Sequence, residues 1–212
     1  MKSVLTSIFL LLLFTNFGIG QTNDNISWSS VSVSKKIDDK NSFTVKPIIR
    51  HNNNLKSYQN SSIDLLYARS LDKHWSLGFI SRTWFVPDAG NRQFLWFDVR
   101  YRTNINKFKI FSGLRYHLAL DINENIDADF IRWKTKISFP SFGIFTAGLA
   151  FEPWLRLNGF EQLQRTRLEP SLDIKLNDEL KLSLSYWREE FKNVNPAPNF
   201  NIFLVNLGYT LK

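Results

Sequence analysis

The segment Gln93-Phe94-Leu95-Trp96-Phe97-Asp98-Val99-Arg100-Tyr101-Arg102-Thr103-Asn104-Ile105 decides how the rest of the chain is read. Taken two residues at a time it splits into two faces. Leu95, Phe97, Val99, Tyr101 and Ile105 fall on one, and Phe94, Trp96, Asp98, Arg100 and Arg102 on the other. Side chains alternate across an extended chain but recur about every 3.6 residues around a helix, so this split predicts a strand with one apolar face and one charged face.

The same alternation continues on both sides. Leu114, Tyr116, Leu118 and Leu120 oppose Arg115 and His117; Ile131, Trp133, Ile137 and Phe139 oppose Arg132, Lys134 and Lys136; Leu168, Leu172, Ile174 and Leu176 oppose Arg165, Arg167, Glu169 and Asp173. Eleven such segments are read: 26-36, 42-51, 61-71, 75-86, 93-105, 108-120, 128-139, 143-157, 163-176, 180-192 and 200-212. Short turns at 38-41, 72-74, 106-107, 140-141 and 177-179 alternate with longer polar loops at 52-60, 87-92, 122-127, 158-162 and 193-199. Short turns at one end and long loops at the other predict an all-β fold, an up-and-down antiparallel outer-membrane-type β-barrel of about 10 to 12 strands. Because such barrels usually have an even strand number, ten spanning strands from Ser42 onward are expected, with 26-36 as an extra strand or lumen segment; a twelve-stranded closure is the alternative.

Lys2, the apolar run Val4 to Phe14, and Gly18 and Gly20 have the form of a secretory signal cleaved before Gln21. The expected organisation is therefore a signal peptide over 1-20, a lead-in segment over 21-41 and the barrel over 42-212. The apolar run is too short for a spanning helix, so a membrane location requires a barrel. The 212 residues are 43% hydrophobic and 15% aromatic, which excludes a disordered chain. With no cysteine, disulfides, zinc ribbons, lipoprotein anchoring and thiol catalysis are excluded. A net charge of +8 suggests nucleic acid, but a secreted chain does not meet it, and no nucleic-acid partner is expected.

If the apolar face meets lipid, the charged face lines the interior. By parity its cations are Lys46, Arg50, Arg82, Arg100, Arg102, Lys109, Arg115, Arg132, Lys134, Lys136, Arg156, Arg165, Arg167, Lys175 and Lys181. Its acids are Asp64, Asp98, Glu152, Glu169, Asp173 and Glu189, so the interior is basic. Two readings stand side by side. In one, these groups form ion-pair ladders that satisfy a narrow polar lumen, with Arg167 beside Glu169 and Glu152 beside Arg156 as partners. In the other, the cationic excess attracts an anion, either a phosphorylated lipid headgroup or an acidic solute. Trp84, Trp96, Trp154 and Trp187 share the interior parity toward the long-loop end, where they form either an apolar mouth above the basic lumen or part of an interfacial girdle.

Catalytic signals are thin. His51, His74 and His117 are the only histidines; His74 and Ser76 share a face but sit at a short turn, and His117 has no same-face serine two residues away. Asp121, Glu124, Asp127 and Asp129 lack calcium-loop spacing. No catalytic residue, metal or cofactor is expected.

Phe97-Asp98-Val99-Arg100-Tyr101-Arg102, Phe151-Glu152-Pro153-Trp154-Leu155-Arg156 and Arg165-Thr166-Arg167-Leu168-Glu169 resemble the arginine and glutamate strand motifs of an uncharacterised bacterial family, domain of unknown function twenty-four-ninety. The resemblance covers nearly all of the mature chain. It implies an outer-membrane-type barrel of the kind found largely in Bacteroidetes, and it transfers no catalytic residue. The ending Tyr209-Thr210-Leu211-Lys212 departs from the terminal aromatic common among membrane barrels. The expectation is a non-enzymatic outer-membrane barrel, a narrow pore or a binder of anionic or lipidic ligands. Its expected partners are outer-membrane lipid, a small anionic or lipidic ligand, and the assembly machinery during biogenesis. An outer-membrane lipid-modifying enzyme and a soluble periplasmic or secreted ligand-binding barrel are the alternatives.

Overall fold

A computed structural model describes residues 23-87, 90-120, 129-157, 162-192 and 198-211. These contain eleven strands: β1 (Asn23–Lys36), β2 (Asn41–Asn52), β3 (Ser57–Ser70), β4 (Trp75–Val86), β5 (Gly90–Ile105), β6 (Phe108–Ala119), β7 (Phe130–Ser138), β8 (Phe145–Arg156), β9 (Gln162–Lys175), β10 (Leu180–Phe191) and β11 (Asn199–Leu211). Each pairs antiparallel with its sequence neighbour, and β1 closes the barrel against β11. That last seam is parallel, from Asn23 beside Asn199 to Lys35 beside Leu211. The 26-36 segment, expected as an extra strand or lumen segment, is thus a full stave, and the count is eleven. An odd number closes only through one parallel seam, because β1 and β11 run the same way. The expected signal peptide over 1-20 lies outside the described residues.

Two of the expected long loops are shorter than anticipated. β3 begins at Ser57 and β5 at Gly90, so much of 52-60 and 87-92 is strand. The physical reason is that polar residues here face a polar lumen: Asn60 is buried inside the barrel, as is Ser62 after it, and reads as loop only by composition. The chain reverses between β2 and β3 through Asn53, Asn54 and Leu55, all at positive φ. Of the expected loops, 122-127, all of 158-162 but Gln162, and 193-197 of 193-199 lie outside the described residues, with Asp121, Glu124 and Asp127. Asp129 is described, and it accepts the Tyr116 hydroxyl at 2.7 Å.

At the opposite end three turns share one device. Asp38 accepts the backbone N–H groups of Lys40 and Asn41, Asp72 those of His74 and Trp75, and Asn177 those of Glu179 and Leu180. Such side-chain caps substitute for a backbone turn and set a sharp reversal. The Asn41 amide and these backbone donors hold Asp38 below the ordinary carboxylate range, and the Trp75 and His74 N–H groups do the same for Asp72. A depressed carboxylate contributes stability above its unfolded-state pKa and loses it as pH falls through the folded-state value. The double variant Asp38→Asn, Asp72→Asn keeps one acceptor oxygen at each turn for the backbone N–H groups but cannot titrate. Its thermal midpoint is expected to fall less than that of the parent on acidification below the carboxylate range, and an identical fall would refute the role of these turns.

The barrel is inside out relative to a water-soluble domain. Among the described residues ten hydrophobic side chains are buried, against fourteen polar or charged ones. Thirty-nine large hydrophobics are exposed, and most alternate along the outer face of every strand. Pro47, Pro153 and Pro170 also lie on that face; each lacks an N–H, and the pairing ladder beside each skips two positions.

A basic, tryptophan-lined lumen as candidate functional site

Eight strands close around an interior that side chains just fill, whereas sixteen leave a channel; eleven leave room for a cavity. It measures about 760 Å³.

Ion pairs across neighbouring strands build its wall. Arg82 on β4 grips Asp64 on β3 through two bonds of 2.5 Å. Asp98 on β5 takes Arg100 from its own strand and Arg115 from the facing position on β6, at 2.5 Å each. Gly78 makes room for this arrangement, since a Cβ there would stand 2.7 Å from the Arg100 guanidinium. On the other side Glu152 binds Arg132 and lies 3.7 Å from Arg167, while Glu189 binds Arg167 and lies 3.1 Å from Arg165. The result is a continuous relay from β7 to β10. Glu169 reaches Lys134 two strands away and accepts from Ser185 at 3.4 Å.

The ladder takes the form of pairs between strands, with Arg167 bonding Glu189 and Glu169 bonding Lys134, and the same-strand pairs do not form: Arg167 does not bond Glu169, and Glu152 bonds Arg132 and not Arg156. Same-face neighbours along a strand sit about 7 Å apart, whereas facing residues on adjacent strands sit about 5 Å apart, so the cross-strand partner usually wins.

Trp84, Trp96, Trp154 and Trp187 all point inward, and the girdle alternative fails for each of them. Neither do they form an apolar mouth above a basic layer, because guanidinium groups are interleaved with them. Arg82 and Arg115 lie 4.2 and 4.6 Å from the Trp96 ring centroid, Arg165 and Arg132 lie 3.7 and 3.8 Å from Trp154, and Arg167 lies 4.2 Å from Trp187. Arginine is weakly hydrated and planar, so indole faces hold cations that the carboxylates are too few to neutralise. Trp28 on β1 joins this layer, edge-on to Trp187 at 5.0 Å. Its shared parity with Ile26 was the available signal, and the lead-in reading of 21-41 obscured it. Aromatic residues do gather on the outer face at the short-turn end, where Trp75 packs on Tyr101 at 4.9 Å and the Tyr67 hydroxyl donates to Asn41.

Ten cations and five carboxylates line the cavity. Arg100, Arg102, Arg115, Arg132, Lys134, Arg165, Arg167, Asp98 and Glu152 are among them; Lys136, Arg156 and Glu169 are not. Lys136 instead lies across Gly148, where a Cβ would meet its chain at 2.7 Å. Among the described residues, seven lining cations have a carboxylate within ion-pair distance, and Lys46, Arg50 and Arg102 have none. The indole N–H groups of Trp28, Trp84, Trp96, Trp154 and Trp187 are buried without an acceptor. Charge and donors both exceed the acceptors the wall supplies.

His117 is enclosed by Phe94, Trp96, Phe130 and Trp154, stacked on Phe94 at 5.1 Å. His74 bonds the Arg102 carbonyl, and among the described residues no histidine bonds a serine. No cluster of metal-ligating side chains occurs among those residues either. Compared with models of known families and with curated proteins, the chain matches none.

Proposed function

We propose that this chain is a non-enzymatic outer-membrane β-barrel, exported through its N-terminal signal and assembled there by the barrel-insertion machinery, that binds an anionic or lipidic ligand in its basic lumen. The resemblance to the family domain of unknown function twenty-four-ninety agrees with this reading. The observation that carries it is the inversion of polarity: a continuous apolar exterior around an interior with ten cations and five carboxylates. An apolar surface of this extent in water is an aggregation hazard, and in a bilayer it is the buried face. Inside, a cationic excess within low-dielectric walls raises the local concentration of anions. The arginine and tryptophan groups interleaved along the cavity wall, with their unpartnered indole donors, favour binding over free conduction.

The test has two arms. The protein is expected in the membrane fraction, released only by detergent and migrating differently on a gel before and after boiling. Reconstituted protein is expected to retain an anionic lipid headgroup in preference to a zwitterionic one, with retention falling as salt rises. Recovery in the soluble fraction, cation-selective conductance, or salt-insensitive retention would overturn the proposal.

A further inference from the structure

Arg50 is the deepest of the cations left without a carboxylate, with 2% of its surface exposed. Its two terminal nitrogens reach only neutral acceptors, Asn60 at 2.5 Å and Ser62 at 3.3 Å, and its Nε has no partner. Trp28 and Trp84 hold the guanidinium from either side, at 4.5 and 5.0 Å from their ring centroids, and the N–H of each indole is also unpartnered. The row is set by register: Trp28 faces Arg50 across β1 and β2, and Ser62 faces Trp84 across β3 and β4. The pairing of β2 with β3 shifts beside Arg50, placing an extra residue, Gln59, in the cavity lining. Bulges of this kind re-aim side chains next to sites. A buried cation with only neutral partners is costly, and three vacant donors, its own Nε and the two indoles beside it, are costly again.

The surroundings of Arg50 are not those of the opposite wall. Ile26, Ile48, Ile80 and Ile202 are buried on the same side of the lumen and line the same cavity, whereas the charge relay occupies β7 to β10. Lys46 and the Asp64–Arg82 pair share this side of the lumen, so Arg50 and the three vacant donors border an aliphatic strip formed by the four isoleucines.

We propose that Arg50 anchors the acidic head of a single-chain amphiphilic anion, a fatty carboxylate or an alkyl phosphomonoester, whose chain lies along the isoleucine wall. This rests on the lumen-binding reading above and names its site and ligand class. The head supplies the acceptors that Arg50 Nε and the two indoles lack, and the tail supplies apolar surface that inorganic anions do not.

The test uses the complete barrel folded in a non-ionic maltoside, titrated calorimetrically with decanoate, decyl phosphate, inorganic phosphate and decanol. Decanoate or decyl phosphate is expected to bind at least tenfold more tightly than either inorganic phosphate or decanol; whichever is tighter distinguishes a carboxylate from a phosphate source. Arg50→Gln is expected to weaken that binding at least tenfold, and Lys73→Gln, on an exposed short turn outside the cavity lining, to leave it within twofold. Trp84→Phe, which keeps the ring and loses the donor, is expected to weaken it several-fold and decides the matter if Arg50→Gln fails to migrate as a folded barrel. Equal binding of decanol overturns the anchor, and equal binding of inorganic phosphate overturns the chain site. Salt-sensitive binding lost in Arg102→Gln but intact in Arg50→Gln overturns this site alone. No anion binding by the parent protein removes the lumen-binding reading with it.

Discussion

Glu152→Gln is expected to cost the barrel about 3–5 kcal/mol, the scale on which removing one partner of a buried ion pair is felt. Glu152 sits between two buried arginines, with 4% of its own side chain exposed. Arg167 keeps Glu189, but Arg132 has no other carboxylate among the described residues and would be left as an uncompensated buried cation against Trp96 and Trp154. The loss should appear as a lowered denaturant midpoint with unchanged localisation. Arg132→Met added to Glu152→Gln should recover much of it, because an apolar replacement of both partners removes the stranded charge. By contrast Asp178→Asn, which removes the surface pair with Lys175, should leave the midpoint unmoved, both side chains being open to solvent. A Glu152→Gln barrel as stable as its parent would show that water, not the relay, satisfies Arg132.

The contrast between those residues reflects what alternation encodes. Period-two patterning identified every strand and put Arg132, Glu152, Arg167 and the four named tryptophans on the inward face, because face is a property of one strand. Partnership belongs to two strands and their stagger, and nothing in Arg165-Thr166-Arg167-Leu168-Glu169 says that Arg167 will meet Glu189 while Glu169 meets Lys134. Closure was illegible for the same reason: the parallel meeting of β1 with β11 depends on how the ends come round. The segment Ser57 to Asn60 was misread as loop because polarity signals solvent in most folds, and here it signals the lumen. Trp28 is hard to read as an inward residue because it precedes a serine-rich run whose small side chains, Ser30, Ser32 and Ser34, alternate inward with Val31 and Val33 outward.

The outer face supplies the complementary result, and it separates a membrane barrel from a soluble one. Val99 is 45% exposed and is flanked in register by Leu77 on β4 and Leu114 on β6, themselves exposed, with Trp133 on β7 continuing the row. Counting along a strand tilted by about 40°, Val99 stands roughly 15 Å from the β5–β6 turn, near the middle of an apolar band about 25 Å tall. Thr103 shares its face but stands only roughly 5–8 Å from the turn, at the interface. In the proposed membrane barrel, Arg at position 99 would have no water or headgroup close by and is expected to cost about 2–4 kcal/mol or block insertion, while Thr103→Arg costs about 0–1 kcal/mol. Both variants are folded into vesicles and unfolded in denaturant, and the difference between them is the quantity of interest. In a barrel surrounded by water, arginine would be accepted at both sites and would relieve an exposed apolar row at the first. A gradient of cost with depth follows only if the solvent of this face is lipid, so equal tolerance at the two positions would remove the membrane reading whatever the lumen binds.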